Sequence, residues 1–345
     1  MTFRCTDSLA FLQKTSPRKA INAAKVIISY FRSRITGIPR LCGLPITVSV
    51  EPTTSCNLRC PECPSGLRAF TRDRGMMELS LFKKTVDELE YSLIFLYLYF
   101  QGEPYLHPRF ADMVMYASRK NIFTVSSTNA HFLDDDNARK TVESGLSRLI
   151  ISIDGITQDS YAKYRLGGNL ERVLEGTKNL LKWKKKLQSN TPHVIFQMVV
   201  FRHNENEILG LHKIADDCGV DEVKLKTAQI YDFEKNHSLI PSNEKYSRYS
   251  ANLLSPALNG FYQIKNPLLN HCWKMWHSCV VTWDGKVVPC CFDKDASYVM
   301  GDLKKQSFRD IWTGEAYNAF RYRLLTSRKE IDICRNCSEG TKVWI

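Results

Sequence analysis

From residue 46 onward, apolar runs and helix-spaced apolar positions take turns along the chain. Continuous runs of apolar and β-branched residues predict strands over Ile46–Glu51, Leu93–Phe100, Ile122–Ser127, Arg148–Asp154, His193–Phe201 and Glu222–Thr227. Between them, apolar residues three or four apart predict helices over Ser80–Tyr91, Pro108–Arg119, Asp134–Ser144, Leu170–Leu187 and Asn204–Cys218. The strand runs do not alternate with polar residues, which marks parallel strands covered on both faces. Strands alternating with helices read as a βα series and a parallel sheet. The fold class is therefore α/β, a partial (β/α)6 barrel, and such a barrel puts its chemistry at the C-terminal ends of its strands.

The pattern weakens around Tyr231–Pro267 into a polar connection, which places a domain boundary near residue 235. Beyond it, Val280–Trp283 and Lys286–Val288 flank Asp284-Gly285, a strong hairpin signal. The run Ser307–Leu325 then has helical spacing through Phe308, Ile311, Trp312, Ala316, Phe320 and Leu324. Three units result: a leader (1–45), the partial barrel (46–235) and a small hairpin-and-helix domain (236–345).

The leader changes the picture through charge. It holds eight Lys or Arg against one acid, Asp7, and so supplies over half of the chain's net charge of +12. Ala20, Ala24, Ile27, Ile28, Phe31 and Ile35 recur at helical spacing, with Lys19, Lys25, Arg32 and Arg34 between them. A basic amphipathic helix can lie peripherally on an anionic membrane surface, such as the inner membrane face. The simpler expectation is that the apolar stripe packs on the following domain and leaves its cations in water. No nucleic-acid-binding module or interleaved aromatic–basic patch is present. No apolar run reaches the roughly 18 residues of a membrane span, and no cleavage site follows Ala20–Phe31. A cytoplasmic location is the expectation.

The chain is otherwise of globular composition, 43% hydrophobic and 24% charged, but its twelve cysteines are many for 345 residues. Seven fall in two sets with short spacings, which reads as metal ligation rather than a disulfide framework. Cys5, Cys42 and Cys218 are isolated.

Cys56-Asn-Leu-Arg-Cys60-Pro-Glu-Cys63 follows the first predicted strand, so its loop falls on the functional face of the barrel. Iron–sulfur clusters are held by cysteine thiolates, four for a complete [4Fe–4S] set. Three thiolates on one loop leave one iron open to a small chelating molecule. The C-x3-C-x2-C run resembles the signature of the radical S-adenosylmethionine (SAM) superfamily, whose open iron takes the SAM amine and carboxylate. Where that family has an aromatic residue before the third cysteine, this chain has Glu62. Gln101-Gly102-Glu103-Pro104 resembles the family's Gly-Gly-Glu-Pro motif, which receives the SAM amino group, with Gln101 in place of the first glycine. The resemblance also implies SAM contacts at Ser152 and at Arg165, the latter toward the SAM carboxylate. Asn129 and Asp154 close the third and fourth strand segments and add polar groups to the same rim.

Cys272, twelve residues, Gly285, four residues, Cys290, and later Cys334-Arg-Asn-Cys337 resemble the shortened SPASM region called the twitch domain. In that domain four such cysteines hold one auxiliary [4Fe–4S] cluster. A structural zinc site is the alternative for four cysteines with a C-x2-C pair. Cys279 and Cys291 could substitute as ligands. Cys291 is also a candidate catalytic residue, because a thiol beside Cys290 could donate a hydrogen atom or act as a base; the plainer reading is a buried cysteine in a hairpin.

The resemblance, covering residues 46–340, implies an enzyme that reductively cleaves SAM to a 5′-deoxyadenosyl radical and abstracts hydrogen from a substrate. It implies a one-electron donor such as flavodoxin or ferredoxin. The expected reaction is dehydrogenation of a small molecule: a sugar alcohol, an aminocyclitol or a lipid head group. Peptide- or protein-modifying relatives often carry a recognition domain of some 80 residues, for which the leader is too short. A zinc-stabilised binding protein without catalysis is the remaining alternative.

Overall fold

The computed structural model describes residues 11, 14–235, 238–251 and 262–340. Helix α1 (Pro17–Thr36) begins at Ser16, whose Oγ caps Lys19 N, and ends on Gly37 with φ 69°. Six parallel strands then alternate with helices. They are β1 (Thr47–Val50), β2 (Phe95–Tyr97), β3 (Phe123–Thr128), β4 (Arg148–Ser152), β5 (His193–Val200) and β6 (Glu222–Thr227). The helices between them are α2 (Pro64–Leu67), α3 (Leu79–Leu89), α4 (Phe110–Arg119), α5 (Asp135–Glu143), α6 (Gln158–Tyr164), α7 (Leu170–Lys186) and α8 (Ile208–Cys218). Strands β7 (Tyr249–Ala251) and β8 (Tyr262–Ile264) form a separate ribbon. There follow α9 (Lys274–His277), β9 (Ser278–Val281), β10 (Lys286–Val288), β11 (Gly301–Asp302), α10 (Phe308–Thr313), α11 (Glu315–Ser327) and α12 (Asp332–Arg335).

The sheet runs β11-β10-β9-β1-β2-β3-β4-β5-β6, nine strands in all. It is an open, partial barrel in which Val48, Leu96, Leu149 and Phe196 are buried on the face that packs against the helices. The C-terminal hairpin is not a detached module. Strand β9 pairs parallel with β1, Val48 opposite Cys279, and so extends the barrel sheet past its first strand. The hairpin turn is the expected Asp284-Gly285, with Gly285 at φ 91°. The helical run over Ser307–Leu325 divides at Gly314 into α10 and α11, because the chain is extended there at ψ 169°.

Helix α1 turns the opposite way from expectation. Its apolar stripe at Ala20, Ala24, Ile28, Phe31 and Ile35 faces outward, and only Ile27 is half-buried. The inward face carries Lys19, Ala23, Val26, Tyr30 and Ser33. Aromatic and polar contacts decide this. Tyr30 Oη lies 3.1 Å from His271 Nδ1, Trp276 Nε1 donates to Ser33 Oγ at 3.2 Å, and the Asn22 amide brackets Leu44 through N and O. Among the described residues no helix is long and apolar enough to cross a membrane.

Candidate active site at the carboxyl ends of the strands

The loop after β1 gathers Cys56, Cys60 and Cys63. Leu58 N donates to Cys56 Sγ at 3.5 Å, and Cys63 N donates to Cys60 O at 3.2 Å, so the backbone curls around the thiols. Burial pushes the Cys56 thiol up to about 12 and raises Cys60 as well, the latter opposed by the Arg165 guanidinium. Thiols held this way call for a cationic centre before they ionise, and metal binding releases their protons.

The segment Gln101–Glu103 docks on this loop. Glu103 N donates to Ser55 O at 2.7 Å and Gly102 N to Ser65 Oγ at 2.8 Å. Gly102 stands at φ 75°, and a Cβ there would lie 2.2 Å from Thr53 O, so only glycine permits the approach. The buried Glu103 carboxylate accepts from Thr128 Oγ1 at 2.7 Å, Asn129 N at 2.8 Å and Tyr105 N at 3.2 Å. Burial raises its pKa, and these bonds pull it back. Pro104 opens a short 3₁₀ turn that carries the chain away. Asn129 also reaches the loop through its Nδ2, 2.8 Å from Asn57 Oδ1 and 4.0 Å from Cys56 Sγ.

Ser152 ends β4 and is buried. Asp154 is fully buried and does not present an idle carboxylate. Its Oδ2 pairs with Arg165 Nε at 2.5 Å and its Oδ1 accepts from Val199 N at 2.7 Å. Arg165 in turn points Nη1 at Cys60 Sγ, 3.9 Å away. Asp154 thus orients Arg165, with both of its carboxylate oxygens engaged. Glu62 accepts from Tyr231 N at 2.9 Å and ties the cysteine loop to the segment after β6.

In the C-terminal region, Cys272, Cys290, Cys334 and Cys337 are brought together. Cys334 and Cys337 each lie in the field of Cys272, and Cys290 lies in the field of both. Burial pushes Cys334 to about 11 and Cys337 to about 12. A cation the sequence did not single out stands among them. Arg328 is fully buried, donates to His271 O at 2.8 Å and Glu339 O at 2.9 Å, and approaches Cys337 Sγ at 3.7 Å. Nothing in the local sequence marks it, since it follows a helix and lies outside any motif. Cys279 faces Arg321 instead, and its thiol is raised by burial. Cys42 is exposed, Cys218 is half-buried, and Cys5 lies outside the described residues. Among the described residues no three Cys, His, Asp or Glu side chains converge tightly enough for a single metal ion. A four-iron cube, whose thiolates bind separate corners, asks for a wider set.

One cavity of about 470 Å3 touches both regions, with Cys63 and Gln101 on one wall and Cys290 and Cys291 on another. Gln101 Oε1 is buried there without a hydrogen-bond partner among the described residues. Lys274 Nζ lies 3.8 Å from Cys291 Sγ and is ion-paired with Glu339. Lys226, Arg248 and Lys294 line the cavity as well. Arg248 donates to the carbonyls of Asn336 and Thr227, Lys294 to the Tyr231 hydroxyl, and Arg248 Nε is buried without a partner among the described residues. Burial lowers the pKa of Lys294, and the nearby Arg248 and Lys226 lower it further, so the three cations share one neighbourhood.

Residues 50–215 match the model of the radical SAM superfamily, and residues 272–338 that of SPASM, an iron–sulfur cluster-binding domain. The chain belongs to the radical SAM superfamily. It is similar to the tungsten-containing aldehyde ferredoxin oxidoreductase cofactor-modifying protein of Pyrococcus furiosus, 28% identical over 84% of this chain and 86% of that one. It is 23% identical to the S-adenosyl-L-methionine-dependent 2-deoxy-scyllo-inosamine dehydrogenase of Niallia circulans, over 84% of this chain and 92% of the relative. Its fold resembles the crystal structure of BtrN in complex with AdoMet and 2-DOIA, with TM-score 0.54 and 18% identity over 87% of this chain and 95% of that one. As a radical SAM enzyme with a SPASM region, it uses SAM and [4Fe–4S] clusters. The donor sets described above fit both, three thiols beside an arginine and a carboxylate, and four thiols of which Cys272, Cys334 and Cys337 neighbour the buried Arg328.

Proposed function

We propose that this chain is a radical SAM oxidoreductase that dehydrogenates a small polar molecule bearing an anionic group. The observation that carries the reading is a cavity that touches both cysteine sets. Its volume falls in the range of small-ligand pockets, roughly 300–1,000 Å3, which suits a phosphorylated polyol, a sugar acid or a phosphate-bearing lipid head group better than a folded peptide segment.

Cys56, Cys60 and Cys63 would hold the SAM-binding cluster, and Cys272, Cys290, Cys334 and Cys337 the auxiliary one. When bound, the first cluster with SAM supplies a hydrogen-abstracting radical and the second a one-electron acceptor, which together amount to dehydrogenation. Arg165, aimed by Asp154, would take the SAM carboxylate, and Glu103 with Asn129 would frame its amino end. Arg248, Lys226 and Lys294 would hold the substrate's anionic group, since charge-assisted hydrogen bonds are the stronger kind. Cys291, as a thiolate beside the Lys274 ammonium 3.8 Å away, would take the proton that leaves as C–OH becomes C=O and become the neutral thiol. A flavodoxin or ferredoxin would deliver the initiating electron.

The test is a substrate screen on anaerobically prepared enzyme with SAM and dithionite, reading 5′-deoxyadenosine. Polyol phosphates and sugar acids are expected to stimulate its formation well above their neutral counterparts. Equal stimulation by neutral polyols would remove the anionic group from the proposal. Undiminished 5′-deoxyadenosine from a variant with Cys56, Cys60 and Cys63 all replaced by Ala would overturn the site itself.

A further inference from the structure

We propose that α1 binds the protein to the surface of an anionic membrane. The side of α1 turned away from the body carries Ile21, Ile28, Phe31 and Ile35, which are 58%, 65%, 42% and 83% exposed. At 100° per residue these four fall within an arc of about 80°, and they run for about 21 Å along the helix. Ile38, just past the helix, is exposed as well. A contiguous apolar strip on the surface marks an interaction site, whereas singly scattered apolar residues do not.

The margins of the strip identify its occupant. Arg18, Lys25 and Arg32 follow one edge, Arg34 lies on the other, and Arg40 stands beyond the C-terminus of the helix, all of them exposed. From residue 14 to residue 45 the chain has no Asp or Glu. An apolar strip between cations complements a surface that is apolar within and anionic at its face, which describes acidic phospholipid. Such helices lie in the plane of the interface with the apolar side sunk among the head groups. A nucleic acid would use the cations and leave the isoleucines in water.

The helix is held ready for this contact. Its inward face is fixed by the Tyr30–His271, Trp276–Ser33 and Asn22–Leu44 hydrogen bonds, so binding requires no folding of the helix. It lies at the amino ends of the strands, where Lys19 Nζ donates to Asn121 O at 2.6 Å and Lys14 Nζ to Ile122 O at 3.3 Å. The cysteine loop after β1 is at the opposite ends. A molecule seated on α1 therefore turns its reaction centre away from the lipid, toward a soluble electron donor.

The test is co-sedimentation of the full-length holoenzyme with vesicles. Binding is expected to vesicles of equal phosphatidylglycerol and phosphatidylcholine at low salt and not to phosphatidylcholine alone. Each cation near the surface contributes about 1 kcal/mol, so Lys25→Gln with Arg32→Gln should weaken binding about thirtyfold. Ile21→Ser with Ile28→Ser and Ile35→Ser should abolish it while iron content and melting temperature stay at parental values, because these side chains are mostly in water. Absence of binding to the anionic vesicles, equal binding to neutral ones, or retention by the triple-serine variant would overturn the proposal. So would a concentration-dependent dimer of the parent that the triple-serine variant loses, since the strip would then belong to a second copy.

Discussion

Both oxygens of Asp154 are engaged within the protein, one by Arg165 and one by Val199 N, so on the proposed reading it acts on SAM through the arginine. Removing Arg165 takes away a charged partner worth about 1.5–3 kcal/mol. Arg165→Ala should therefore weaken SAM binding roughly 10- to 150-fold by equilibrium dialysis, with iron content unchanged. Asp154→Asn should give a smaller loss, and the double variant should bind no worse than Arg165→Ala alone; additive losses would mean that Asp154 touches SAM directly. Cys291 calls for a different measurement. If it receives the substrate's proton or donates a hydrogen atom, Cys291→Ala should keep SAM cleavage, lose product and leave 5′-deoxyadenosine uncoupled. Normal turnover by that variant would make it the plain cavity-wall cysteine that a sequence reading also allows. At this scale the chain disclosed which residues gather but not which touch a ligand. Asp154 and Arg165 look alike in one dimension, and only the structure shows that they pair with each other at 2.5 Å.

The strands were legible because continuous apolar runs have one stable use, burial between helices on both faces. The site followed, since the Cys56–Cys63 loop and the Gln101–Pro104 turn each come at a strand's carboxyl end. Helix α1 was misread for an equally physical reason. A hydrophobicity pattern credits Ile28 and Ile35 and discounts Tyr30, Ser33 and Asn22, yet those three make the hydrogen bonds that fix the helix. The hairpin was read correctly as a hairpin, but its parallel pairing with β1 has no local signal at all. Gly102 offers a sharp test at this scale. Gly102→Ala places a methyl group against Thr53 O at a positive φ, so the turn must withdraw from the cysteine loop. The expected outcome is loss of iron from the first cysteine set with the second retained; a fully loaded variant would show that the loop does not depend on this contact.

For the molecule as a whole, pH reports on His277, which burial and the neighbouring Lys274 lower to about 3. Between about 6.5, the ordinary histidine value, and 3, the unfolded chain takes up a proton here that the native state refuses. Stability from this group is thus complete above about 6.5 and falls on acidification, by at most about 1.4 kcal/mol per pH unit. Urea midpoints of the holoenzyme at pH 7 and pH 5 should differ less in His277→Gln than in the parent. An unchanged difference would mean that His277 titrates normally. The same molecule also has a vulnerable interval in its making. Strand β1 lies inside the sheet only because β9 covers its outer edge, and β9 is made more than two hundred residues later. At about 5–20 residues per second, a nascent chain leaves that edge bare for roughly ten to fifty seconds. An uncovered strand edge is a template for pairing with other chains. A chain cut short before residue 278 would keep the edge bare for good and should collect in the insoluble fraction, however complete its SAM motifs.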